Sequence, residues 1–149
     1  MQDSSHAFGM TETELYMKGR VIIMAKLWGG RFTKELAPEA KCFSYSLKVD
    51  QELLPYDIQA TVAHVQMLGK VKLLSLKETK ILVRELKGIL EDFGEESLDR
   101  YAQEHEDVHS FIYARLEKEV GELAKKVYAG RSRNDQVATA TRLYLKDKL

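Results

Sequence analysis

Apolar residues recur at helical spacing over four stretches of this chain. Leu54, Ile58, Val62, Val65 and Leu68 form the first stripe, and Gly69 stands where that helix is expected to stop. Ser75-Leu76-Lys77-Glu78 has the form of a capping box, with a serine side chain and a glutamate three residues on. It opens a second helix carrying Leu82, Leu86, Ile89 and Phe93 on one face, followed by Gly94. A third run carries Val108, Ile112, Leu116, Val120, Leu123 and Val127, with Gly121 placed to split it. A fourth helix is expected from about Asn134 to Leu149. Pro38 and Pro55 fall near helix starts or in loops. No stretch alternates with period two and none repeats, so the predicted fold is all-α.

The two ends read differently from the middle. Residues 1–23 begin polar, and Val21-Ile22-Ile23 is too short for a secretory core, so this segment is expected to be an extension outside the fold, with Met24 as a second possible start. The last helix stops at Lys146-Asp147-Lys148-Leu149 without a glycine cap, and its Val137, Tyr144 and Leu145 need a packing partner. The segment from Val137 to Leu149 is therefore expected to be exposed, frayed or engaged in oligomer contacts.

Composition narrows the partners. Lys plus Arg and Asp plus Glu both total 23 in 149 residues, so a general affinity for nucleic acid or membrane surfaces has no basic excess to rest on. No apolar run approaches bilayer length. Cys42 is the only cysteine, which excludes an intrachain disulfide and fits a reducing cytoplasm. It has no neighbouring pattern to activate it.

The densest chemistry is Gly130-Arg131-Ser132-Arg133-Asn134-Asp135-Gln136, a glycine-led turn at the start of the fourth helix. Free N–H groups and the helix dipole favour an anion there, and an arginine fork matches a carboxylate. A plainer reading is an N-capped helix start, with Ser132 or Asn134 as the cap and the arginines solvated. Glu104-His105-Glu106-Asp107-Val108-His109 is a second polar cluster. Its spacing lacks the H-E-x-x-H zinc arrangement, so an acidic first turn complementing the helix dipole is favoured over a metal. His109 is a polar group suited to an anion. His64, among apolar neighbours, reads as a satisfied, partly buried histidine, and Trp28 beside Gly29-Gly30 as a packing anchor at a bend.

Several ordered segments together resemble argininosuccinate lyase, in the fumarase/aspartase superfamily. They are Lys26-Leu27-Trp28-Gly29-Gly30-Arg31-Phe32, the stretch from Phe43 to Asp50, and Leu54 to Leu68 with Asp57-Ile58 and Ala63-His64. Glu106-Asp107-Val108-His109 and Gly130 to Gln136 complete the set. The resemblance covers nearly everything from Met24 onward. It departs at Tyr128-Ala129, where the family usually carries His-Thr before the glycine.

That resemblance implies an N-terminal helical lyase domain over 24–129 and the start of the first long bundle helix over 130–149. It implies reversible cleavage of argininosuccinate to arginine and fumarate, with no cofactor and no metal. Ser46 and Asn134 would contact substrate, Ser132 and Arg133 would lie beside its carboxylates, and Asp50 and His109 would support them. The family's acid/base histidine and loop serine lie in Thr-His-x-Gln and Gly-Ser-Ser-x-Met-Pro motifs, neither of which occurs here. No catalytic acid or base is therefore assigned, and the isolated chain is expected to be inactive. Its partners would be the other subunits of a homotetramer or a complementary C-terminal chain, in the cytoplasm. The competing expectation is a non-enzymatic helical interaction module reusing the fold, as lens crystallins of the family do.

Overall fold

The computed structural model describes residues 36–93 and 97–149. The expectations for residues 1–23, Met24, Trp28, the Gly29-Gly30 bend and Gly94 lie outside the described residues. Within them every regular element is helical. Helix α1 spans Pro38–Ser44 and α2 Leu47–Asp50; a 3-10 turn at Gln51–Leu53 then feeds α3, Leu54–Lys70. Helix α4 spans Leu76–Phe93 and α5 Val108–Val120, with a 3-10 turn at Asp99–Tyr101 between them. A 3-10 segment over Gly121–Tyr128 leads to α6, Arg133–Lys148.

Local sequence explains most boundaries. Pro38 and Pro55 occupy first turns, where a missing N–H leaves no helical bond unmade. The Ser75–Glu78 box forms in both directions: Glu78 N–H donates to Ser75 Oγ at 3.2 Å, and Ser75 N–H to Glu78 Oε2 at 2.8 Å. Gly121 ends α5 with φ of +59°, dividing the third apolar run as its position suggests. Gly69 differs from its expected role. The left-handed residue after α3 is Lys72, at φ 63°, whereas Gly69 serves a close approach of α3 to α4. A Cβ there would stand 2.5 Å from Thr79 Oγ1.

Helix α3 is the hub and packs against α4, α5 and α6. Its stripe of Leu54, Ile58, Val65 and Leu68 is fully buried, meeting Leu82 and Leu86 of α4 and Phe111 and Leu116 of α5 in one core. Beside it Phe93, Tyr101 and Phe111 pack with centroids 5.2–6.0 Å apart, and Arg115 lies 4.6–5.2 Å from all three rings.

The expectation of a loose last helix fails on one face of α6 and holds on the other. Ala140 is fully buried against the hub, and Tyr144 meets Tyr56 edge-on at 5.6 Å. Tyr56 donates to Asp147 at 2.6 Å, tying α3 to α6, while Tyr144 donates to Glu52 at 2.8 Å, tying α6 to the 3-10 turn that feeds α3. Helix α3 thus supplies the partner. Val137 and Leu145 point elsewhere and stay 39% and 46% exposed.

Candidate functional site

The glycine-led turn is built by a reciprocal cap. Ser132 Oγ accepts from Asp135 N–H at 3.3 Å, and Asp135 Oδ2 accepts from Ser132 N–H at 2.9 Å. Ser132 is therefore the N-cap, and the Ser132 N–H together with the Ser132 hydroxyl, which donates to Asp135 Oδ2 at 3.1 Å, holds the Asp135 carboxyl below its usual range. Gly130 supplies the positive φ, +68°, that turns the chain into α6. With Ser132 as cap, Asn134 is left exposed on the first turn. Its side chain, and the N–H groups of Arg133 and Asn134, make no hydrogen bond among the described residues.

Arg133 reaches back to the start of α5. Nη2 donates at 2.8 Å to Asp107 Oδ1 and to Ser110 Oγ, and Nη1 donates to Gln136 Oε1 at 3.3 Å. Asp107 is the N-cap of α5, accepting from Ser110 N–H at 2.7 Å. The acidic cluster thus works as a cap plus an arginine anchor. No group of three or more His, Cys, Asp or Glu able to hold a metal occurs among the described residues. His105 packs edge-on against Phe111 at 5.4 Å, and burial pushes its pKa below the ordinary histidine value.

Ser46 and Asp50 meet on the far side of the same helix start. Ser46 Oγ donates to Asp50 Oδ2 at 2.6 Å, and Asp50 Oδ1 accepts from Val108 N–H at 3.1 Å. The Ser46 N–H donates to the Glu106 carbonyl at 2.7 Å, fastening the α1–α2 loop to the residues before α5. Burial raises the Asp50 pKa, partly offset by its bonds to Ser46 and Val108. The first turn of α5 therefore carries Ser46 and Asp50 on one flank and Arg133 on the other.

Beneath it lies a buried layer whose organisation sequence reasoning missed. Asp57, fully buried on α3, faces His109 Nδ1 at 2.9 Å and accepts from Gln136 Nε2 at 2.8 and 3.0 Å. Thr61 donates to it at 3.3 Å and itself accepts from Arg131 Nη1 at 3.1 Å. A usable signal existed, since Asp57 and Thr61 sit on the apolar stripe of α3, where unpaired polar groups are costly. Gln136 was hidden as the last residue of a polar string, and Arg131 turns inward rather than to solvent. The Nε atoms of Arg131 and Arg133 are buried without a partner, leaving donor capacity unmet beside the turn.

The departure at Tyr128-Ala129 is absorbed by packing. Tyr128 stacks on Tyr113 at 5.1 Å with Arg131 5.8 Å from its ring, and the Ala129 carbonyl pairs with His64 Nε2 at 3.0 Å. His64 is thus satisfied, as its apolar surroundings suggested. Burial, then nearby Arg131, lowers its pKa. A recess of about 270 Å³ between α3 and α6 is lined by His64, Met67, Arg131, Asp135 and Thr139, among others.

A family model described as lyase matches residues 30–149. The chain belongs to the lyase family. It is 44% identical over 126 residues to the argininosuccinate lyase of Desulforudis audaxviator, a match covering 85% of this chain and 27% of that relative. It is 46% identical over 124 residues to the argininosuccinate lyase of Streptococcus agalactiae, covering 83% of this chain and 27% of the relative. The argininosuccinate lyase of Lachnospira eligens is 41% identical over 124 residues. The chain spans about 27% of the length of these relatives. The all-α architecture expected from the sequence agrees with that membership. No described helix is long and apolar enough to cross a membrane.

Proposed function

We propose that this chain is the N-terminal part of an argininosuccinate lyase and supplies groups that hold argininosuccinate while arginine and fumarate separate. In this reading 24–129 form the N-terminal helical domain and 130–149 begin the central bundle. The protein acts in the cytoplasm within a homotetramer or beside a complementary C-terminal chain. Elimination removes a proton from carbon next to a carboxylate and builds negative charge, which fixed donors stabilise. The observation that carries the reading is the capped first turn of α6, where the Asn134 amide and two backbone N–H groups remain unused beside the positive end of a helix. Asn134 and Ser46 would contact substrate, Ser132 and Arg133 would border its carboxylates, and Asp50 and His109 would brace them. Arg133 would act mainly as an anchor, because its terminal nitrogens already serve Asp107, Ser110 and Gln136.

The test pairs this chain with the remaining C-terminal portion of a related argininosuccinate lyase and follows fumarate release. Activity should need both polypeptides and be lost with Asn134→Ala. Fumarate production by this chain alone would overturn the view that it only holds substrate. Activity of the pair that ignores Asn134→Ala would overturn the assigned contact.

The apolar residues left exposed favour a second reading, a non-enzymatic interaction module. Val137 and Leu145 on α6 offer a surface for partner helices without any chemistry. A stable complex with the C-terminal polypeptide that releases no fumarate would support it.

A further inference from the structure

We propose that Asp57 and Gln136 are positioning residues, which act on a ligand only through His109 and Arg133. The inference deepens the substrate-holding role above and rests on it. The juxtaposition that carries it is one buried amide joined to two functional side chains. Gln136, 3% exposed, directs Nε2 to both oxygens of Asp57 and its Oε1 to Arg133 Nη1. Reversing that amide would set its carbonyl against the carboxylate and its NH2 against the guanidinium, so the network permits one orientation. The carboxylate then accepts from His109 Nδ1, which must carry the hydrogen.

Two consequences follow for a ligand. The His109 ring is fixed by α3, and Nε2 is the nitrogen left without a partner among the described residues. The Arg133 guanidinium is held from behind by Gln136 while Asp107 and Ser110 hold its other nitrogen. One residue of α6 thereby ties the ring on α5 to the arginine of the turn, through a carboxylate on α3. Neither Asp57 nor Gln136 needs to touch substrate, since both are buried. Their work is to hold the His109 ring, itself 2% exposed, and the Arg133 guanidinium in one arrangement beneath the turn, so that little reorganisation accompanies binding.

The experiment is nuclear magnetic resonance on the full 149-residue chain, with ring signals of His109 assigned through His109→Gln. For the neutral ring a single tautomer with hydrogen on Nδ1 is expected, exchanging slowly with water. Gln136→Ala should accelerate that exchange by about tenfold or more and collapse the separate guanidinium signals of Arg133. Asp57→Asn should abolish the single tautomer. A wild-type ring protonated only at Nε2 would overturn the proposal, and so would a folded Gln136→Ala chain with both signatures unchanged. The wild-type tautomer decides even where a variant fails to fold. The lyase reading fails separately: an inactive pair of polypeptides leaves the ring tautomer where it was, and a wrong tautomer leaves complementation untouched.

Discussion

Asp57→Ala removes the acceptor on which His109, Gln136 and Thr61 converge. All three partners are at most 3% exposed, so water cannot reach their abandoned donors without opening the α3–α5–α6 contact. An unsatisfied buried donor costs about 1–3 kcal/mol, and Asp57→Ala strands one on each of His109, Gln136 and Thr61. A water drawn into the space recovers part of the loss. The expected net destabilisation is about 3–5 kcal/mol, a large share of the roughly 5–15 kcal/mol that holds a domain together. Asp57→Asn keeps the shape but turns one acceptor into a donor facing another donor, and should cost less, about 1–3 kcal/mol. Urea unfolding followed by circular dichroism measures both. An Asp57→Ala chain within about 1 kcal/mol of wild type, with unchanged denaturant slope, would show that these donors have other partners and that the layer is not a unit.

Gly69→Ala should destabilise by about 1–3 kcal/mol in the same assay. The new methyl meets Thr79 Oγ1, Cγ2 and Cβ at 2.5–3.3 Å, so rotating the threonine does not clear it. His64 and His105 both have lowered pKa values, chiefly through burial, so the unfolded chain binds protons more readily than the folded one. Stability should therefore fall as pH drops below the ordinary histidine value of 6.5, and His64→Gln/His105→Gln should flatten that slope in unfolding curves. The Tyr56 phenol, whose pKa is pushed up to about 12 chiefly by its hydrogen bond to Asp147, should return toward 10.0 in Asp147→Asn, read by ultraviolet titration.

Periodicity revealed the helices because each buries one face: the stripe at Leu54, Ile58, Val65 and Leu68 is the same set that packs. The box at Ser75–Glu78 and the break at Gly121 were legible for a similar reason, since each depends on residues within a few positions. What stayed hidden depends on distant partners. The mating of Gly69 to Thr79 needs the α3–α4 crossing, and the seating of α6 needs Tyr56 and Glu52, some ninety residues away. The site divides along the same line. The turn from Gly130 to Gln136 was recognisable as a string, yet the roles within it are set by what each side chain meets. Ser132 caps, Arg133 anchors to α5, Gln136 is buried against Asp57, and Asn134 remains outside.

That division bears on why the turn is so polar. A helix start needs only a cap, and Ser132 with Asp135 provides it, so capping does not explain the residues on either side. Arg131 and Arg133 instead cross to other helices, one to Thr61 on α3 and one to Asp107 on α5. Both guanidiniums thus stitch the turn to the body of the domain. The exposed amide of Asn134 stands on a first turn braced by cationic side chains on either side of its serine cap. A surface asparagine on a loose terminus would lose orientation with every motion of the helix. Here Gln136 in the same turn, Ala140 in the core and the Tyr56–Tyr144 contact near the far end hold α6 along its length. On the proposed substrate-holding reading, the rigidity of the helix is what would aim the exposed amide and the two free N–H groups at a ligand.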